Sequence, residues 1–203
     1  MKDEKLKYLS LVIIALGIIS FFFMFVMSLN SFGTSINIIR SSDSYSNDLS
    51  KIIVSGFIDG IIQIILAFSL VVCAIFNVVE YDRERPLKRL HYYELLILNI
   101  YEVLINLFRL IFDGIEYYSF LCLISSIIST VLIVLNIYVI KNNIIKLIFS
   151  IITGLCLIII TAMNLIQSSG TELIFVLFMM IYVIAVLTYI ITVLVIKISN
   201  EKK

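Results

Sequence analysis

The sequence predicts an all-α, polytopic transmembrane bundle of six helices, and three observations lead to this prediction. Of the 203 residues, 62% are hydrophobic and only 14% are charged, whereas a soluble domain carries about 45–50% apolar and roughly 25% charged residues. A soluble fold of this length could not hide so much apolar surface, because its exterior must face water. The apolar residues also fall in runs of about 20, the length that crosses a bilayer as a helix, and basic residues flank alternate runs.

Five spans follow directly from hydropathy. We expect them at about residues 8–29, 57–79, 117–140, 147–167 and 173–196. Each contains an uncharged apolar stretch close to the roughly 20 residues that a spanning helix needs. The first is not predicted to be a cleaved signal peptide, because its apolar run is too long and no small-residue cleavage site follows it.

The remaining apolar segment, residues 90–112, is ambiguous. Polar or charged side chains interrupt it at Glu94, Asn99, Glu102, Asn106 and Arg109. A charged residue at the centre of an inserted helix costs about 2.5–3.5 kcal/mol, and each large aliphatic residue returns only about 0.3–0.6 kcal/mol. The segment is therefore either a sixth span or, in a five-span alternative, part of an amphipathic helix over 86–116 that lies along the membrane surface.

The distribution of basic residues favours six spans. Lysine and arginine are concentrated in the N-terminal residues, the loop 80–89, the turn 141–146 and the C-terminal tail. The positive-inside rule places all four regions in the cytoplasm, and this requires a crossing within 90–112. Both termini are then cytoplasmic, the membrane is the cell (plasma or inner) membrane, and 30–56 forms a long extracellular loop. The richness in Ile and Asn is typical of an AT-rich bacterial gene.

A stripe of polar residues follows one face of the third helix. Its members are spaced 3, 4, 3, 4 and 3 residues apart: Asn99, Glu102, Asn106, Arg109, Asp113 and Glu116. At 100° per residue they fall within an arc of about 100°. Lipid cannot satisfy these groups, so we expect them to face a bundle interior or a water-filled cavity. Glu102 has no basic partner within one turn of its own helix, and must be protonated, hydrated or paired with another helix.

The stripe has three interpretations. In the first, it lines an internal polar path or cavity. In the second, it forms contacts between helices or subunits. In the third, it is the water-facing side of a helix that lies on the membrane surface. The acidic residues argue against the last, because such helices usually carry Lys and Arg on the polar face. Asp59 and Gln63, four residues apart in the second span, and Asn77 near its other end are candidates to face the stripe.

Composition argues against several function classes. The net charge of +1 argues against nucleic acid as a partner, since phosphate binding needs a basic surface. The three cysteines, Cys73, Cys122 and Cys156, lie in separate apolar runs without a CxxC pair, so they predict no disulfide framework and no zinc site. His91 is the only histidine and has no partner for a metal or nucleophile site. We expect no cofactor, no metal and no enzymatic activity.

Two functions remain, from different classes. The polar stripe favours permeation or transport of a small solute or ion. The alternative is a membrane subunit that docks a protein partner, as toxin-immunity and phage-defence membrane proteins do. Its docking candidates are the residues at the cytoplasmic start of the third helix: Arg83, Arg85, Lys88, Arg89 and His91. The predicted partners are the lipid bilayer and either further copies of this chain or a partner protein.

Overall fold

Six α-helices make up the part of the chain that the computed structural model describes, residues 2–41, 47–82, 90–112, 117–167 and 171–201. They are α1 (Lys2–Ser41), α2 (Asn47–Asp82), α3 (Leu90–Phe112), α4 (Tyr117–Tyr138), α5 (Asn143–Gln167) and α6 (Thr171–Glu201). The predicted all-α helical bundle is confirmed. Five of the helices, all except α3, are long and apolar enough to cross a membrane.

The helices form a closed ring in chain order. Each packs against the next, α6 returns to α1, and α3 also reaches α6 across the ring. Neighbours run in opposite directions: near the start of α3, the Tyr93 hydroxyl lies 3.3 Å from that of Tyr138 at the end of α4. The end of α1, the start of α2, the end of α5 and the start of α6 therefore lie at one end of the bundle, which we call the α1–α2 end. The start of α1 and the end of α6 lie at the opposite end, which we call the α2–α3 end.

α3 extends alongside α2 over most of its own length. Near its start, Glu94 accepts a hydrogen bond from Asn77 of α2, and near its end Arg109 lines the same recess as Asp59 of α2. On α2 these two contacts are separated by a rise of about 27 Å, close to the roughly 30 Å thickness of the hydrocarbon core. This arrangement is the one expected of a sixth span, and it differs from a helix lying across the end of the bundle.

α1 and α2 continue through most of the segment predicted as a loop. Residues 30–41 and 47–56 are helical, and of the predicted loop only 42–46 lies outside the described residues. The hydroxyl-bearing residues of this segment bond within their own helix, since Thr34 donates to the Asn30 carbonyl and Ser35 to the Ser31 carbonyl. The Ser- and Asn-rich composition therefore does not interrupt the helices, and the prediction of a long loop over 30–56 is wrong.

Two glycines of α2 allow α1 to approach closely. Gly56 and Gly60 are four residues apart and face α1, and the Ser28 hydroxyl donates to the Gly60 carbonyl at 2.9 Å. A Cβ atom at Gly60 would lie 2.9 Å from the Phe32 ring tip. Small residues four apart are a common means by which spanning helices approach each other.

The bundle is apolar outside and partly polar inside. On each of the five helices that are long enough to cross a membrane, large aliphatic side chains are about half exposed, among them Ile65, Leu155 and Ile181. By contrast, Asn99 and Ser126 are completely buried. Monomeric soluble proteins rarely expose contiguous apolar surfaces of this kind, so the distribution fits a bundle that is surrounded by lipid.

Candidate functional site

A cavity of about 160 Å³ lies toward the α1–α2 end, between α1, α2, α3, α5 and α6. Its polar lining includes Asp59, Gln63, Tyr101, Glu102, Arg109 and Asn164, and its apolar wall includes Met27, Ile105, Val176 and Met179. A single water needs only about 10–15 Å³ of such space. The cavity can therefore hold several waters or one small solute.

Glu102 is the half-buried carboxylate of this cavity, and two amides hold it in place. Asn164 of α5 donates from Nδ2 to both carboxylate oxygens, at 3.1 and 3.2 Å. Asn106, one turn further along α3, donates to Oε2 at 3.3 Å. Both donors are neutral, so they orient the carboxylate without cancelling its charge. Of the three states predicted for Glu102, the structure places it in hydrogen bonds across helices, beside space for water.

Asp59 and Gln63 face Glu102 from α2, as the sequence suggested they could. Gln63 donates from Nε2 to Asp59 Oδ2 at 3.0 Å, and its side chain lies near the Tyr101 hydroxyl. Turning the amide over would bring its oxygen against the Asp59 carboxylate, so the observed orientation is the favourable one. Gln63 is only 4% exposed, and among the described residues its Oε1 atom has no hydrogen-bond partner.

Arg109 brings the only basic side chain among the described residues that line the cavity. It lies near the end of α3 and is exposed. With Asp59 it also lines a second recess, together with Ser55 and Phe108. Two carboxylates and one guanidinium give the described lining a formal charge of −1.

The other members of the stripe have separate positions. Asn99 and Asn106 are completely buried, and each donates to the carbonyl four residues earlier on α3, at 2.8 Å. These groups face the bundle interior, which is not the arrangement of a surface helix. Asp113 and Glu116 lie outside the described residues.

A second polar cluster lies on α3 near the α2–α3 end. Its centre is Glu94, which is completely buried. Asn77 of α2 donates to its Oε1 at 2.5 Å, His91 Nδ1 lies 2.8 Å from its Oε2, and Tyr182 of α6 lies beside it. The Tyr189 ring packs edge-on against His91, with centroids 4.4 Å apart. We call these five residues the Glu94 cluster.

The Glu94 cluster corrects two predictions. Asn77 was expected to face the polar stripe, but it bonds Glu94, about 12 Å along α3 from Glu102 at 1.5 Å per residue. His91 was grouped with exposed docking candidates, but it is 3% exposed and packed between α3 and α6. The other docking candidates lie outside the described residues: Arg83, Arg85, Lys88 and Arg89.

Buried apolar residues separate the cavity from the Glu94 cluster. On α2, Leu66 and Leu70 lie between Gln63 and Asn77, and on α3 Leu95 and Leu98 lie between Glu94 and Glu102. All four leucines are at most 3% exposed and belong to one packed core. The cavity is therefore closed toward the α2–α3 end by a layer of packed leucine side chains.

Within the residues that the structure describes, no group of three His, Cys, Asp or Glu side chains is placed to hold a metal ion. Cys73, Cys122 and Cys156 are free thiols. Comparison of the chain with known family models, curated proteins and solved structures gives no match. The chemistry of the site is therefore inferred from its own residues.

Proposed function

We propose that this chain binds a small positively charged solute within the membrane and carries it across, with the cavity beside Glu102 as the binding site. The observation that carries this proposal is a carboxylate that faces internal space and has only neutral amide donors. The cavity binds its solute without converting it, and the chain is not an enzyme.

The energetics favour a cation. A carboxylate removed from water is costly unless an opposite charge or several hydrogen bonds compensate. Asn164 and Asn106 provide part of that compensation, and the positive charge of Arg109 in the same lining adds to it. Because Asp59 brings a second carboxylate to the lining, a bound cation provides further compensation. The formal charge of the described lining, −1, has the sign that attracts such a solute and repels an anion.

Transport, as distinct from binding alone, is supported by the asymmetry of the bundle. The cavity lies toward one end, and the leucine layer and the Glu94 cluster close the other. A carrier exposes its site to one side at a time, by rearrangement of packed helices around that site. We propose that the conformation described is open toward the α1–α2 end, and that opening the other end requires separation of Asn77, Glu94 and Tyr182.

Six crossings complete the proposal. α3 runs alongside about 27 Å of α2, and the positive-inside rule places the basic α2–α3 end in the cytoplasm. The cavity then faces the exterior. The described conformation is in this account an outward-facing carrier with its solute site near mid-membrane.

The proposal is tested by flux into proteoliposomes. Wild type, Glu102→Gln and Glu201→Gln would be reconstituted, and uptake measured for a panel of K⁺, Na⁺, alkylammonium ions and a neutral sugar. Glu201 is an exposed carboxylate at the far end of α6, bonded to Asn143, so it controls for loss of one negative charge. We expect saturable cation uptake that Glu102→Gln abolishes and Glu201→Gln retains. Uptake that is equal in all three proteins, or absent for every solute, would contradict the proposal.

A further inference from the structure

We propose that the preferred solute of the cavity is a short primary alkylamine in its protonated form. This inference rests on the proposed function and deepens it, since it names the chemical class of the solute. Three features of the cavity lead to it: the unpaired acceptor of Gln63, the charge of the lining, and the apolar wall.

The Gln63 side chain identifies a hydrogen-bond donor as the missing partner. Its Nε2 donates to Asp59, and its Oε1 is buried with no partner among the described residues. A buried acceptor without a donor is unfavourable. An ammonium group offers three N–H donors and no acceptor. It can therefore bond a carboxylate oxygen of the lining and still has N–H donors for Gln63 Oε1 when that buried atom turns toward the cavity.

The charge of the lining selects one positive charge. Asp59 and Glu102 contribute two negative charges, and Arg109 contributes one positive charge. A monoamine cation brings the total to zero. A diamine would place a second ammonium in the same cavity as the Arg109 guanidinium, and like charges at close range repel each other.

The apolar wall selects an alkyl substituent. Met27, Val176 and Met179 also line the cavity, and burial of each CH₂ group is favourable by the hydrophobic effect. A bare alkali ion gains nothing from that wall. In an alkylammonium ion, the ammonium group contacts the polar lining and the alkyl chain contacts the apolar wall. The volume of about 160 Å³ gives room for a short chain.

The inference is tested by calorimetric titration of the full chain in lipid nanodiscs at constant ionic strength. The ligands are n-propylammonium, its neutral isostere 1-propanol, and K⁺. The variants are Gln63→Leu and the matched control Asn136→Leu, which removes a buried amide of α4 outside the cavity. We expect n-propylammonium to bind tightest, and Gln63→Leu to weaken it about tenfold to a hundredfold, the effect of one hydrogen bond to a charged group.

The control and the alternative outcomes separate this inference from the proposed function. Asn136→Leu should change the affinity for n-propylammonium less than about twofold, because the residue lies on α4 and outside the cavity. If Gln63→Leu does not yield folded protein, Gln63→Met provides the same loss of an acceptor with a side chain of similar length. Glu102-dependent binding of K⁺ as tight as that of n-propylammonium would overturn the alkylamine assignment and leave a cation site. Binding of 1-propanol as tight as that of n-propylammonium, or an unchanged affinity in the Gln63 variant, would also overturn it. Absence of binding by every cation would overturn both proposals.

Discussion

Glu94 and Glu102 lie eight residues apart on α3, and the structure assigns them opposite roles. Glu94→Ala removes the acceptor for Asn77 and His91 in a buried cluster. Hydrogen bonds between spanning helices contribute about 0.6 kcal/mol on average and at most about 1.7. Of the two lost bonds only that to Asn77 joins two helices, but their loss leaves two buried donors without an acceptor, at about 1–3 kcal/mol each. We therefore expect a destabilisation of about 2–6 kcal/mol.

Glu102→Ala removes only the acceptor for Asn164 and Asn106. Water in the cavity can replace the lost partner of Asn164, so we expect a smaller destabilisation of about 0.5–1 kcal/mol. For solute binding we expect the opposite ranking of the two variants. Glu102→Ala should weaken binding more than Glu94→Ala, because Glu102 lines the cavity and Glu94 does not. Each variant should thus have one strong effect and one weak effect.

The assay is reversible unfolding in mixed micelles, followed by helix signal, together with cation affinity measured on the same preparations. Glu94→Gln is the conservative companion, since it keeps an acceptor oxygen and should lose less than half of the Ala effect. If Glu102→Ala destabilised the protein more than Glu94→Ala, or if both variants lost cation affinity equally, the separation into a structural cluster and a binding cavity would be refuted.

Two further predictions concern topology and packing. In a cysteine-free protein, single cysteines at Ser42 and Ser169 should react with an impermeant reagent in intact cells and one at Ser199 should not; outside labelling of position 199 would rule out six spans with both ends inside. Gly60→Val should destabilise the bundle by about 1–3 kcal/mol, because overpacking forces α1 away from α2, whereas Gly33→Ala should be neutral or stabilising by up to about 1 kcal/mol, because no atom lies near its added Cβ. Equal unfolding free energies for the two glycine variants would contradict the close contact of α1 with α2.

The bounds of α3 could be predicted from sequence, because apolar and polar residues alternate with helical periodicity throughout 90–112. The same periodicity singled out Glu102. It also made Asp59 and Gln63 reasonable candidates to face it, since ionisable groups in spans need partners inside the bundle. The sequence gives no comparable indication that Asn164 bonds Glu102. A single amide in an apolar run more often bonds its own helix backbone or a neighbouring helix.

The Glu94 cluster could not be predicted in the same way. Glu94 lies about 40° outside the arc of the stripe at 100° per residue, and its partners Asn77 and Tyr182 are distant in sequence. The helical extension of α1 and α2 through 30–56 was missed for a related reason. Local composition there is typical of a loop, and tertiary packing at Gly56 and Gly60 stabilises the helices in spite of it.

The central claim is that a cation site lies inside the membrane and is reached by water from the α1–α2 end. The most direct measurement is the reaction rate of a cysteine at Thr161, which is buried in the cavity lining, compared with one at Ser129, which is completely buried. In the cysteine-free protein, we predict that a small cationic thiol reagent added outside modifies Thr161→Cys quickly and Ser129→Cys slowly. An anionic reagent should be slower at Thr161→Cys, and excess n-propylammonium should protect it. Equal rates at the two positions, or modification of Thr161→Cys only from the cytoplasmic side, would contradict the claim.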